Sequence, residues 1–318
     1  MISIRWWAAL GLALSLTAGL ADAAGSGTRT LTREAILARH TQPDSKFMDV
    51  DGIQVHYKDE GNGAAVLLLH GTFGDLTDWD GWVGALKGQY RVIRPDLPAF
   101  GMTGPVASGN YSVDRTLALI DGFMDQLKID KFAVVGVSYG GLVAFRYAAT
   151  RTERVTAMVL MNSAGIEYGR AAATNHKDKM ATPAYNITTD PNVTEKDVRD
   201  VYKHVLSNPS RMSDEAIRRK TDYFNTVGRD EEGVIARRQY ERGNPQRVLA
   251  HVKAPSLVIW GGANKALSTE TASKFMDALT NAKSKQLILD TEGGHMLNLD
   301  RPEATVAHAK AFFATALK

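Results

Sequence analysis

Ser138 stands between two glycines in "VVGVSYGGLVAF" (Val134 to Phe145), where a β-branched apolar run passes into a helix-forming one. A lone Gly-x-Ser-x-Gly is as often a plain turn as a site, but at a strand-to-helix junction it fits a serine nucleophile held on a sharp bend. Such a bend strains the central residue, and side chains two positions to either side would strike the neighbouring strand and helix, so glycine is needed at 136 and 140. The hydroxyl is then presented above the sheet beside the positive end of the following helix, where a developing oxyanion is favoured. The chemistry this permits is acyl transfer through a covalent serine intermediate.

The elements that would position this serine follow from apolar periodicity. "FMDVDGIQVHYKDEG" alternates in two pieces around Asp51-Gly52 and reads as a hairpin. "AAVLLLHG", "YRVIRPDLP", "FAVVGVS", "VTAMVLMNS", "SLVIWGG" and "KQLILDTEGG" are near-continuous apolar runs, as expected of strands buried on both faces of a parallel sheet. Amphipathic stretches such as Ser112 to Leu127 and Thr269 to Leu279 lie between them, so the fold class is α/β. Residues 166–246 break the rhythm: they contain helical segments and turn signals at Thr182-Pro183, Asp190-Pro191 and Asn208-Pro209, but no convincing strand. A structureless loop of that length is improbable, so a helical cap is expected there, inserted between core segments at 24–165 and 247–318.

Composition narrows the function classes. A chain of 318 residues with a net charge of +3 can bury a large core, and it has no dense Lys/Arg run with interleaved aromatics, which argues against nucleic acid as a partner. With no cysteine, thiol catalysis and thiolate metal sites are excluded. The eight histidines show no close ligand pairing, so neither metal nor other cofactor is expected. At the N-terminus, Arg5, an apolar run from Trp6 to about Leu20 and the small-x-small sequence Ala21-Asp22-Ala23 form a secretory leader, with residues 1–23 removed. The protein is expected in the periplasm or outside the cell, with no stable membrane span after cleavage.

In this order the motifs resemble the α/β-hydrolase family over essentially all of the chain beyond the leader. "LLLHGTFGDLTDW" is similar to the turn after that family's third strand, which implies that Thr72 supplies one oxyanion-hole amide and Tyr139, just after the nucleophile, the other. "RPDLPAFGMTG" resembles the Asp-containing loop after the fourth strand, and "EGGHMLNLDRPE" resembles the segment bearing the catalytic histidine, implying His295 as base. The residues themselves agree: His295 sits on a Gly-Gly turn with no apolar periodicity to bury it as core. His70 and Asp96 read as loop stabilisers, and His40, His56, His176, His204, His251 and His308 as structural or surface residues. Asp300 reads as a cap opening the last helix.

The acid is the departure. Where the family places a carboxylate, after "SLVIWGG", the chain has Asn264, and the second slot used by some relatives is Asn162. An amide can accept a bond from the imidazole but carries no charge, and its donating end would select the tautomer that cannot act as base. Either Asp290 or Glu292 supplies a displaced acid, or Asn264 replaces an aspartate in an impaired form, or a Ser–His pair works with Asn264 beside it. The expected function is hydrolysis of a carboxylic ester or related acyl compound. Carbon–carbon bond hydrolysis, and ligand binding without catalysis, are the alternatives.

Overall fold

The computed structural model describes residues 29–166, 187, 190, 192–238 and 243–318. The leader at 1–23 and the Thr182-Pro183 turn signal lie outside the described residues.

Each apolar run forms a strand: β1 (Lys46–Val50), β2 (Ile53–Glu60), β3 (Ala64–Leu69), β4 (Tyr90–Pro95), β5 (Phe132–Val137), β6 (Val155–Met161), β7 (Ser256–Gly261) and β8 (Lys285–Asp290). They make one sheet in the order β1-β2-β4-β3-β5-β6-β7-β8. β1 and β2 form the hairpin, with Val50 paired to Ile53, and β2 runs antiparallel to β4; the other pairings are parallel. β8 departs from the expected burial on both faces. As the outer strand it is largely accessible, and Leu289 is 52% exposed.

Helices cover both faces because alternate residues of each strand point to opposite sides. On one face, Leu67, Leu69, Val134 and Val258 pack with residues of α3 (Val113–Gln126), α4 (Tyr139–Thr150) and α9 (Thr269–Ala278). On the other, Val66, Leu68, Val135 and Leu257 pack with α2 (Asp80–Leu86) and with α11 (Pro302–Ala316), which follows the short α10 (Leu297–Asp300). The sheet is therefore doubly wound. The polar stretch before β1 holds a further helix, α1 (Arg33–His40).

Between β6 and β7 the described residues contain four helices and no strand: α5 (Glu195–Val205), α6 (Asp214–Phe224), α7 (Arg229–Arg238) and α8 (Pro245–Leu249). Their starts are encoded locally. Thr194 and Asp197 form a reciprocal capping box on α5, and Ser213 accepts the Ala216 amide on α6. Val198, Val201 and Tyr202 of α5 join the apolar cluster on the α2–α11 face. Among the described residues, no helix is long and apolar enough to cross a membrane.

Candidate active site

The loops that follow β3, β5, β7 and β8 carry Thr72, Ser138, Asn264 and His295, so the candidate residues come from the carboxyl ends of parallel strands, where open α/β sheets form their clefts. Ser138 occupies the bend between β5 and α4 with φ +53° and ψ −117°, a conformation costly for any residue with a Cβ. The bend is tied on both sides: the Ser138 amide donates to Met161 O at 3.1 Å, and Ser138 O accepts from Leu142 and Ala164. A Cβ on Gly136 would run into the Gly140 carbonyl, and one on Gly140 into the carbonyl of Leu69. These obstacles are backbone and cannot rotate away. Gly140→Ala is therefore expected to destabilise the fold by at least about 2 kcal/mol, seen as a lower urea midpoint at unchanged m-value.

His295 Nε2 lies 2.9 Å from Ser138 Oγ, and both residues are buried. Two segments fix the histidine backbone. Its amide donates to Val205 O at the end of α5 (2.7 Å), and Asn162 Nδ2 donates to the carbonyls of Gly294 (2.9 Å) and His295 (2.7 Å). Asn162 Oδ1 in turn accepts the Gly261 amide at 2.9 Å. Asn162 is thus a staple between the ends of β6, β7 and the histidine loop. Burial lowers the His295 pKa to about 4, with His204 at the end of α5 pushing the same way.

Asn264 Oδ1 accepts the amides of Ala266 (2.9 Å) and Leu267 (3.1 Å). Two backbone donors fix the orientation of the amide, leaving Nδ2 as its other end. Asn264 Nδ2 and His295 Nδ1 are both buried without a hydrogen-bond partner among the described residues. They sit on loops stitched together by Gly262 N to Asp290 O (2.7 Å) and Ala263 N to Gly293 O (3.0 Å).

No carboxylate is hydrogen bonded to His295 among the described residues. Asp290 instead receives Arg301 Nε at 3.1 Å, and the exposed Glu292 also pairs with Arg301. Asp300 corrects the expectation of a helix cap: Arg301 is the N-cap of α11. The buried Asp300 carboxylate accepts the amides of Ser207, Asn208 and Gly294, which joins the helical insertion to the histidine loop.

The loop after β3 lies directly on the nucleophile, since a Cβ on Gly71 would come within 3.1 Å of Ser138 Cβ. The peptide joining Gly71 to Thr72 is therefore beside Ser138, as is the first peptide of α4 leading to Tyr139. His70 Nε2 accepts the Leu97 amide at 2.9 Å, which leaves Nδ1 to donate to Gly71 O, and burial lowers its pKa, so the ring is neutral. Asp96 receives the amides of Leu76 and Met102 and pairs with His56 Nδ1, each at 2.7 Å. Both residues stabilise loops, as their sequence settings suggested.

Sequence reasoning missed Lys220. This α6 lysine is fully buried, with Nζ 2.7 Å from both Asp75 Oδ2 and Asp78 Oδ1. Burial pushes both carboxyls upward. Lys220 and Arg219 nevertheless hold Asp75 well below its usual range, whereas Asp78, facing the charged Asp75, is raised to about 7. Burial opposes the ammonium form of Lys220, yet the two carboxylates raise its pKa well above the ordinary value. Beside this cluster an apolar cleft is lined by Phe73, Ala99, Phe100, Tyr223 and Phe224, and by Lys220 and Arg229.

The profile of the α/β hydrolase fold family matches residues 64–302. The chain is 26% identical over 267 residues to the 2-hydroxy-6-oxo-6-(2'-aminophenyl)hexa-2,4-dienoic acid hydrolase of Metapseudomonas resinovorans, an alignment covering 81% of this chain and 87% of the relative. Among solved structures, a bacterial membrane phospholipase A superposes with a TM-score of 0.75 at 21% identity, covering 86% of each chain. The meta-cleavage product hydrolase of Pseudomonas fluorescens IP01 superposes with a TM-score of 0.73 at 24% identity, covering 85% of this chain and 98% of the other. At those identities the superpositions speak for the shared fold, while the profile spans most of the sequence, bend and histidine loop included: the chain belongs to the α/β hydrolase fold family.

Proposed function

We propose that this hydrolase cleaves a carboxylic ester through an acyl-enzyme, with Ser138 as nucleophile, His295 as general base, and the amides of Thr72 and Tyr139 as oxyanion donors. The observation that carries the reading is the 2.9 Å contact of His295 Nε2 with Ser138 Oγ on a strained, glycine-flanked bend. His295 Nε2 takes the serine proton as Oγ attacks the carbonyl carbon, and returns it to the leaving alkoxide; water, activated the same way, then releases the acid. Asn264 occupies the acid position without supplying a charge, so the imidazolium formed in each step is under-stabilised. Residues 166–246 act as a lid over the site, a role supported by the bonds from the His295 amide to Val205 O and from Tyr202 Oη to Phe73 O. The apolar leader supports export.

Cleavage of a carbon–carbon bond beside a ketone is the second reading, favoured by the relative from Metapseudomonas resinovorans. Both reactions use an activated serine, and the leaving group separates them. A fluorophosphonate is expected to modify Ser138 alone, identified by peptide mass, and short p-nitrophenyl esters are expected to turn over faster than a β-diketone of similar size. No adduct on Ser138 defeats both readings. An adduct with diketone cleavage dominant establishes the second.

A further inference from the structure

The loop from His70 to Trp79 contains the Thr72 amide and is held from two sides. The core holds its far end: Leu76 N donates to Asp96, Arg94 donates to Leu76 O, and Asn298 Nδ2 donates to Asp78 O. At the near end, Gly71 O, on the peptide that carries the Thr72 amide, accepts from the His70 ring and from Gly74 N, and the helical insertion grips the loop from Phe73 onward. Tyr202 Oη of α5 donates to Phe73 O at 3.1 Å, Arg219 donates to Thr77 Oγ1 at 2.7 Å, and Lys220 bonds Asp75 and Asp78. The Asp75 carboxylate also accepts the Thr77 amide at 2.9 Å, so the group that meets Lys220 shapes the loop itself. Phe73, between Thr72 and Asp75, is held at φ +71°, so this stretch keeps its form only while its neighbours constrain it.

A buried ammonium surrounded by two carboxylates is weak evidence for stability, because desolvation offsets much of the attraction. Its geometry, however, is specific. Both carboxylates belong to the loop that touches Ser138, and the lysine belongs to a different segment of the chain. Tyr202 presents its ring to the Lys220 ammonium at 5.6 Å while its hydroxyl holds Phe73 O, so α5 and α6 grip the loop together.

We propose that Lys220 is a positioning residue: by binding Asp75 and Asp78 from the insertion, it holds the Thr72 amide in its oxyanion-binding position, so that Ser138 is competent only when α6 is seated on the core. This rests on the serine reading given above. Losing the link leaves the Ser138–His295 pair in place but loosens one oxyanion donor. The loss should therefore fall on kcat, since the donor binds charge that exists only in the transition state.

The test is a cycle of Lys220→Met, Asp75→Asn and the double variant, assayed on a p-nitrophenyl ester with thermal unfolding recorded for each. Each single variant is expected to lower kcat roughly 10²-fold, the order seen when one oxyanion donor is removed, with KM changed less than about threefold. The double variant should be no slower than the worse single one, because both break the same link. If Lys220→Met does not fold, Asp75→Asn and its kcat–KM split decide. Wild-type protein modified at Ser138, with kcat kept in the variants or with losses that multiply in the double variant, overturns the positioning role alone. Wild-type protein unmodified at Ser138 overturns the serine reading and this inference with it.

Discussion

Ser138→Ala is expected to reduce ester turnover to the uncatalysed background, a fall of at least roughly 10³-fold in kcat, while the protein stays folded. Among the described residues the hydroxyl makes one side-chain hydrogen bond, to His295 Nε2, and caps no helix amide. Its removal therefore costs about 1 kcal/mol of hydrogen bonding at most and opens little space. Ser138→Gly sharpens the test. Glycine adopts φ +53° with ψ −117° at no steric cost, so this variant should be inactive yet more stable than Ser138→Ala by about 1 kcal/mol. A stable, inactive glycine variant identifies the bend as strain retained for presenting the hydroxyl. Turnover that survives in either variant places the nucleophile elsewhere.

The parts of this molecule that were legible in the sequence are those whose signal is local. Continuous apolar runs announce strands of a parallel sheet, and the elbow is legible because five consecutive residues meet its steric demands. The hairpin at Asp51-Gly52 and the helices α3 and α9 follow from periodicity in the same way. β8 shows the limit: its apolar run matches the buried strands, but burial depends on what covers the strand, and among the described residues nothing pairs with its outer edge. The Lys220 cluster was illegible for a related reason. Its carboxylates lie 145 and 142 residues away, and a lysine on a polar, amphipathic helix looks like any solvated one until the helix is docked. Asn162 looked like an empty acid slot, whereas its amide is needed in both capacities, donating twice and accepting once. Aspartate there would lose the two donated bonds that hold the histidine loop.

Asn264 is the position where a single substitution should add function. Its Oδ1 is already committed to the amides of Ala266 and Leu267, bonds that an aspartate keeps with one oxygen. The second oxygen replaces Nδ2, a buried donor with no partner among the described residues, on a loop stitched to the one carrying His295. Among those residues His295 Nδ1 is likewise a buried atom without a partner. A carboxylate there would accept the Nδ1 proton, select the tautomer in which Nε2 can act as base, and stabilise the imidazolium. At present the histidine pKa of about 4 means that forming the imidazolium costs about 3 kcal/mol more than in water. Asn264→Asp is therefore expected to raise kcat roughly 10²- to 10⁴-fold with little change in KM. The sign of the pH effect follows from the same charge. With His295 as base, the acid limb of kcat/KM is expected near pH 4 in the present chain, because only the neutral imidazole accepts the proton. An adjacent carboxylate favours the protonated ring, so the limb must move to higher pH in Asn264→Asp even as the plateau rises. A faster variant with an unshifted limb would mean that the gain does not pass through His295. No gain, with activity lost in Asp290→Asn, would mean that the acid acts from the end of β8, against the pairing of Asp290 with Arg301. A gain together with the upward shift would establish residue 264 as the acid position of this triad, and the Ser138–His295 pair as an intact but under-driven base and nucleophile.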